Sequence, residues 1–548
     1  MIKRIIKAIL IPLFGTERLR KFKGFLGYCL FRMKGMSRKN FGLEIVSDRI
    51  KLKGVLEADG FHVYRGYYDI DYVDAAKNRF LCNRLPLNAG TNRDNTLQVG
   101  YYDLESMEFH KIGETNAWCW QQGCRLRWHP QLKDRAMYND ATDEGYCLFR
   151  MKGMSRKNFG LEIVSDRIKL KGVLEADGFH VYRGYYDIDY VDAAKNRFLC
   201  NRLPLNAGTN RDNTLEVGYY DLESMEFHKI GETNAWCWQQ GCRLRWHPQL
   251  KDRAMYNDAT DEGYCCRVVN VETGKCEKVI SRALYDITPD GKQGISVNYS
   301  RLQRLRPGYG YNYLDDETAG VNAPEDDGIF LVDIEKDKCR LIYSLKELAK
   351  AVDPDCRFEH YINHVSISPD GKHFKFFHIY VNPDETGWRT VLYVSDIEGK
   401  SLKMLEKEDN VSHYCWLDNN TLLETDVHKV QGGATCYYCT YNITTGEKTL
   451  LTHKGLNTDG HPTRFPNSDM CVTDTYPLTK NYNRQRVMLF DLKGSEAQTV
   501  ANLYHDYRMY EERRCDLHPS LGDKGKIISV DSTCRKGKRS IVLFEVNK

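Results

Sequence analysis

Amphipathic helical spacing is scarce in this chain of 548 residues. Outside the N-terminus and Leu345–Val352, apolar residues do not recur at a period of 3.6, which argues against an α or α/β architecture. Long apolar runs are missing too. The N-terminal one is broken by Lys7 and followed by Arg18, Arg20, Lys21 and Lys23 rather than a small-residue cleavage site, so it reads neither as a bilayer span nor as a signal peptide. No phosphate-binding glycine loop, nucleophile elbow or metalloprotease helix is present. A basic body is lacking as well. Residues 1–26 hold seven Lys/Arg against one Glu, which leaves a net −2 on the other 522 residues and argues against a nucleic-acid partner. Finally, a second CxxC is absent. Of the 19 cysteines only Cys436 and Cys439 have that spacing, and half-buried strand thiols are a better reading than zinc. Scattered unpaired cysteines suit a reducing, cytoplasmic compartment.

What the chain does have is a near-perfect duplication. Residues 27–144 and 145–262 match at every position except Gln98 against Glu216, and Gly263-Tyr264-Cys265 reopens the phrase once more. Solenoid repeats run about 20–50 residues and drift in sequence. A 118-residue copy this faithful is a recent tandem duplication or an error of gene assembly. Ahead of it, Ile2, Ile5, Ile6, Ile9, Leu10 and Leu13 share one helical face, with Lys3, Arg4 and Lys7 opposite. That pattern suits a basic amphipathic segment lying peripherally on the anionic inner face of a membrane, or a plain surface helix.

Beyond residue 145 the punctuation is regular. An apolar-Asp/Asn-apolar step followed by a polar turn occurs around Asp221, Asn270, Asp333, Asp396, Asn442, Asp491 and, with glutamate, Glu545. A second turn precedes several of these: Thr288-Pro-Asp-Gly291, Ser368-Pro-Asp-Gly371, Leu417-Asp-Asn-Asn420 and Phe465-Pro-Asn-Ser468. Two hairpins per unit of about 50 residues make a four-stranded blade. The expected fold class is all-β, a monomeric seven-bladed β-propeller over 145–548, with 1–26 a separate segment and 27–144 a surplus copy. The last blade lacks a strand, which Gly160–Gly184 or its twin Gly42–Gly66 can supply. The nearer copy is expected to close the ring, leaving the first less buried at positions such as Trp118 against Trp236.

Four histidines sit just ahead of the inner-strand turns of successive units: His364, His413, His461 and His518, separated by 49, 48 and 57 residues. Side chains at one point of each inner strand converge on the central channel, where four imidazoles form a ligand set for a divalent transition metal. Asp459 and Asp516, two residues from His461 and His518, are candidates to fix their tautomers. His378, one strand on from His364, is also placed to reach the site. The stretch Ser300–Tyr313 reads as a strand and loop, with Arg301, Arg304 and Arg306 to grip carboxylates and Tyr309 and Tyr311 to stack on sugars. Its alternative is a plain solvated strand and loop.

The runs His364-Val-Ser-Ile-Ser-Pro…Phe377-His378, Ser395-Asp-Ile-Glu-Gly399 and Ser412-His413-Tyr-Cys-Trp416 resemble oligogalacturonate lyases and their TolB-like propeller relatives. The likeness spans about 280–548, and Asp459-Gly-His-Pro and Cys515-Asp-Leu-His-Pro also look like phrases of propellers from bacterial surface-polysaccharide gene sets. The chain departs from the lyases at Ile379-Tyr380 and Tyr414, and it has no counterpart of their glutamine ligand. The resemblance implies a manganese-type metal on the histidines and β-elimination of an acidic, uronate-containing glycan, with His378 or His413 as base. The alternative is a non-catalytic propeller holding a protein or glycan partner at the membrane surface.

Overall fold

The computed structural model describes most of residues 56–128 (57, 66–71, 90–94 and 122 excepted), the strand pair 136–142 and 145–151, and residues 160–548 apart from 209–212, 382–387, 431–432, 479–482, 536 and 548. The amphipathic segment 1–26 lies outside the described residues, as does the strand candidate Gly42–Gly66 for the most part. The chain forms two compact units, residues 1–128 and 129–548.

Within 160–548 seven antiparallel sheets follow one another. Their first strands begin at Phe179, Arg245, Asp286, His360, Asn410, Thr463 and Ser520. The Asp/Asn steps seen in the sequence end the third strand of six of these sheets, for a local reason. Asp221 Oδ1 accepts from the backbone of Glu223 and Ser224, Asn270 Oδ1 from Glu272 and Thr273, and Asn442 Oδ1 from Thr444 and Thr445. The Pro-Asp-Gly turns join first strands to second ones. Gly291 and Gly371 close them at φ +71° and +73°, a region that favours glycine.

The last sheet, Ser520–Gly522, Ile527–Arg535 and Lys538–Val546, is completed by Ile168–Leu174 of the second copy, which pairs antiparallel with 541–546. Leu161–Ile163 adds a further strand to the sixth sheet through Leu503. The apolar faces meet in continuous clusters, one of which joins Leu174 and Leu199 to Ile541 and Leu543.

Two expectations need correcting. Tyr299–Leu305 is a helix, started by Asn298, whose side chain accepts from the Arg301 N–H. In addition, the two copies do not differ at the tryptophan pair named from the sequence, since Trp118 is 5 % and Trp236 6 % exposed. Both donate to the carbonyl of an asparagine 23 residues earlier in their own copy, so the same local bond is made in each. The copies differ two residues on. Trp238 is 1 % exposed beneath the guanidinium groups of Arg513 and Arg539, while its twin Trp120 is 45 % exposed.

Leu174→Ala is expected to cost about 2–5 kcal/mol, the usual range for a fully buried leucine. The same change at its half-buried twin, Leu56→Ala, should cost well under half of that. Urea unfolding of the two variants measures the difference.

Candidate functional site

His364, His413, His461 and His518 come together. Ring centroids are 5.8 Å apart for His364–His413, 4.0 Å for His413–His461 and 4.4 Å for His461–His518. His364 and His518 hold left-handed backbone conformations, φ 53° and 48°, which cost a non-glycine residue free energy and cluster at functional positions. His364 sits where the pairing of His360–Ile367 with His373–Val381 shifts register, so a bulge re-aims the ring.

Three of the four rings have a fixed tautomer. His413 Nδ1 lies 2.9 Å from Asp459 Oδ1, His461 Nδ1 2.8 Å from Asp474 Oδ1, and His518 Nδ1 3.0 Å from the Gly184 carbonyl. Each partner accepts, so each Nδ1 carries the proton, and in the neutral ring each Nε2 presents a lone pair. The Nε2 atoms of His461 and His518 are buried and have no hydrogen-bond partner. The pairing differs from the one expected: Asp459 orients His413 rather than His461, and Asp474, which the sequence did not single out, orients His461. Asp516 does not orient His518. It joins His461 and His518 in a group whose candidate ligand atoms all lie within 4.8 Å of one another, with Arg514 bonded to both its oxygens at 2.7 Å.

His364 differs from the other three. Its Nε2 is 2.7 Å from the Tyr185 hydroxyl, and its Nδ1 is buried without a partner. Tyr185 and Tyr186, which follow Gly184, lie edge-on or tilted against the cluster, and between them their rings touch all four imidazoles. Nothing in the sequence marked them, because they lie between strands rather than at a repeated position. Every one of the four histidines is 5 % exposed or less.

The electrostatics follow from that burial. Desolvation pushes the imidazoles of His364 and His518 well below their ordinary range. It also lowers His413, against the pull of Asp459. For His461 the same penalty is outweighed by Asp474, Asp516 and Asp459, and it rises. Burial would raise Asp459, but His413, Ser412 and His461 together offset it and hold the carboxyl down at about 2.

The other expected site residues separate. His378 does not join the cluster. Its neighbour Phe377 stacks near His364, so His378 points to the opposite strand face, where its Nε2 lies 2.9 Å from His360 Nδ1 and His360 in turn meets Asp353. Arg301 is 1 % exposed and clamps the carbonyls of His360, Thr318, Val321 and Asn322. Tyr311 is fully buried, stacked 4.2 Å from Tyr299 and bonded to Asn257. These two hold the fold together. Arg304 is taken by Asp316 and Glu359.

Arg306 and Tyr309 do reach the site. Tyr309 lies 5.6 Å from His364. The half-buried Arg306 guanidinium lies over Tyr309 at 5.2 Å and over the exposed ring of Trp388 at 3.9 Å, with no carboxylate partner among the described residues. Stacking fixes its plane and, as far as the described residues go, leaves the N–H edge open to an anion. Cys436 and Cys439 sit three apart on one strand, hence on opposite faces, and do not form a chelate.

No family model matches this chain, and no curated protein does either. Solved structures do. An oligogalacturonate lyase in complex with manganese is similar over 71 % of this chain and 98 % of its own, at 14 % identity and a TM-score of 0.50. An oligogalacturonate lyase from Vibrio parahaemolyticus matches with the same coverage, identity and score. The β-propeller domain of the trilobed protease from Pyrococcus furiosus matches 68 % of this chain and 94 % of its own, at 11 % identity and a TM-score of 0.39. The fold is a β-propeller. Its resemblance to the oligogalacturonate lyases, expected from the histidine-bearing strands, holds at the level of the fold.

Arg301→Met should lower stability by about 3 kcal/mol or more, because it strands buried carbonyls. Arg306→Met should stay within about 0.5 kcal/mol, as surface changes do. Thermal and chemical unfolding of the pair checks this division between a structural and a site arginine.

Proposed function

We propose that this chain is a metal-dependent, carbohydrate-active propeller acting on acidic glycans. In this reading the seven sheets of 160–548 close into one seven-bladed ring with the histidines on its axis. The observation that carries it is the set of three imidazoles whose Nδ1 protons are committed, with the buried Nε2 lone pairs of His461 and His518 unmatched. A buried acceptor without a donor is costly, and a metal ion answers that cost. His413, His461, His518 and Asp516 would hold a divalent transition ion. Bound there, it would supply a positive charge to offset a sugar carboxylate, which would make the neighbouring C–H more acidic.

The chain's own groups supply the rest. The His364 Nε2 and Tyr185 Oη pair, 2.7 Å apart, would take the proton from the sugar C–H and return one to the departing glycosidic oxygen as the C–O bond breaks and the C=C bond forms. In this reading the proton-transferring role falls to His364 rather than to His378 or His413. Arg306 binds a second carboxylate by its free edge, and Tyr309 and Trp388 offer ring faces to sugars. The glycan partner, the monomeric state, the cytoplasmic location and the membrane contact of 1–26 belong to this proposal. Among the described residues no helix is long and apolar enough to cross a membrane.

One observation favours a second reading. The histidines are almost fully covered by Tyr185 and Tyr186, which suits an ion that staples a binding platform rather than one that meets substrate. Metal analysis and activity together decide. The purified protein should hold one equivalent of manganese-type metal, and His461→Ala with His518→Ala should hold none. Wild-type protein that folds without metal overturns the site. A metal-replete protein producing no ultraviolet-absorbing unsaturated uronate from any oligo-uronate supports the platform.

A further inference from the structure

Behind the histidine cluster, between the fourth and fifth sheets, two ionisable side chains are completely buried and satisfy none of their polar atoms. Lys375 on His373–Val381 and Glu424 on Thr421–Val430 are both 0 % exposed. Lys375 Nζ has no hydrogen-bond partner, and neither oxygen of Glu424 has one. No ion pair joins them. Instead the amine rests on two aromatic faces, 3.0 Å from the Tyr414 ring centroid and 3.6 Å from that of Phe377. Phe377 and Tyr414 in turn pack against His364.

The groups around the pair do not neutralise it. From the fifth sheet come Tyr414, Cys415 and Asp426, and Asp426 is already bonded to Lys448 at 2.8 Å. From the segment after Gly184 come Tyr186 and Asp187, and Asp187 is held by both terminal nitrogens of Arg243. From the fourth sheet the nearest titratable group is His364, beyond Phe377. The two ring faces attract an ammonium, but by far less than the cost of a buried charge with neither hydrogen bonds nor a carboxylate in contact.

We propose that Lys375 and Glu424 are stored in the folded protein as a free amine and a free carboxylic acid, a pH-sensitive couple that sets the charge behind His364. Desolvation acts on both members in the required directions. It lowers Lys375 from 10.5 to about 7 and raises Glu424 from 4.5 to about 8. Around neutral pH the couple carries no charge. Below that range the ammonium places a positive charge behind the two rings, and above it the carboxylate places a negative one.

The stability profile is the reverse of a salt bridge's. Between the ordinary glutamate range and about pH 8 the folded chain holds a proton on Glu424 that the unfolded chain lacks, so stability falls as pH rises. From about pH 7 to the ordinary lysine range the folded chain lacks a proton on Lys375 that the unfolded chain holds, so stability rises. The two slopes cancel between about pH 7 and 8, where the couple's contribution has its minimum. An ion pair would put a maximum there.

The test needs neither bound metal nor turnover, so it succeeds or fails independently of the proposed function. Urea unfolding of the full chain and of the double variant Lys375→Met, Glu424→Gln is compared from pH 5 to pH 10. The difference curve, wild type minus variant, should show a valley near neutrality, and a peak there overturns the proposal. Glu424→Gln alone, which imitates the protonated acid, should change the folding equilibrium at pH 7 by less than about tenfold. Breaking a charged pair would change it by about 100-fold or more. If the variants do not fold, the ¹³Cε resonance of Lys375 in selectively labelled wild-type protein decides. A midpoint near 7 supports the free amine, and an ammonium persisting beyond pH 9 overturns it.

Discussion

The site depends on the carboxylate of Asp474. It is 1 % exposed and ends the second strand of the sixth sheet. One oxygen accepts from the backbone N–H of His461 and lies 2.8 Å from that ring's Nδ1. The other accepts from the backbone N–H of His518. A single buried group therefore fixes the tautomer of one imidazole and the backbone of two. It ties the segment before the sixth sheet to the segment before the seventh. Without it, the left-handed conformation of His518 would lose the hydrogen bond that holds it, and the neighbouring ring would be free to turn.

The segment after Gly184 provides the opposing constraint. Gly184 has φ +115°, and a Cβ there would stand 2.7 Å from the Gln240 carbonyl oxygen, so the close approach requires glycine. That approach puts the Gly184 carbonyl on His518 and sends Tyr185 and Tyr186 into the imidazoles. Arg243 holds Asp187 directly behind them. The histidines are thus oriented from outside by carboxylates and a carbonyl, and covered from inside by two rings. Their chemistry is set by these partners as much as by their own positions.

The duplication separates sequence from environment almost completely. The two copies form the same five-stranded sheet in the same register, Phe61↔Pro86 in one and Phe179↔Pro204 in the other. Local pairing, turn chemistry and the tryptophan-to-carbonyl bonds are therefore encoded within the segment. The burial of Trp238 against the exposure of Trp120 is not, since it comes from Arg513 and Arg539, some 300 residues away in the chain. Identical side chains take different roles: Trp238 lies beneath those arginines, whereas Trp120 is exposed.

The sequence alone determined what depends on neighbours a few residues apart. The Asp/Asn steps end strands because their side chains accept from backbone N–H groups two and three residues on, and the Pro-Asp-Gly turns close for a similarly local reason. Counting them anticipated the seven sheets, and the histidine spacing anticipated the four-imidazole cluster. Tertiary structure decided whatever turns on partners distant in sequence. It decided which copy supplies the strand at Lys538–Val546, that Asp474 and not Asp516 orients a ring, and that a strand's alternation carries His378 away from His364. Among three arginines of equal appeal in the sequence, it tied Arg301 to carbonyls and Arg304 to carboxylates and stacked Arg306 on Tyr309 and Trp388. A side chain's type and spacing are local properties. Its hydrogen-bond partners and its access to water are fixed only when the sheets pack, and those set its charge, tautomer and chemistry.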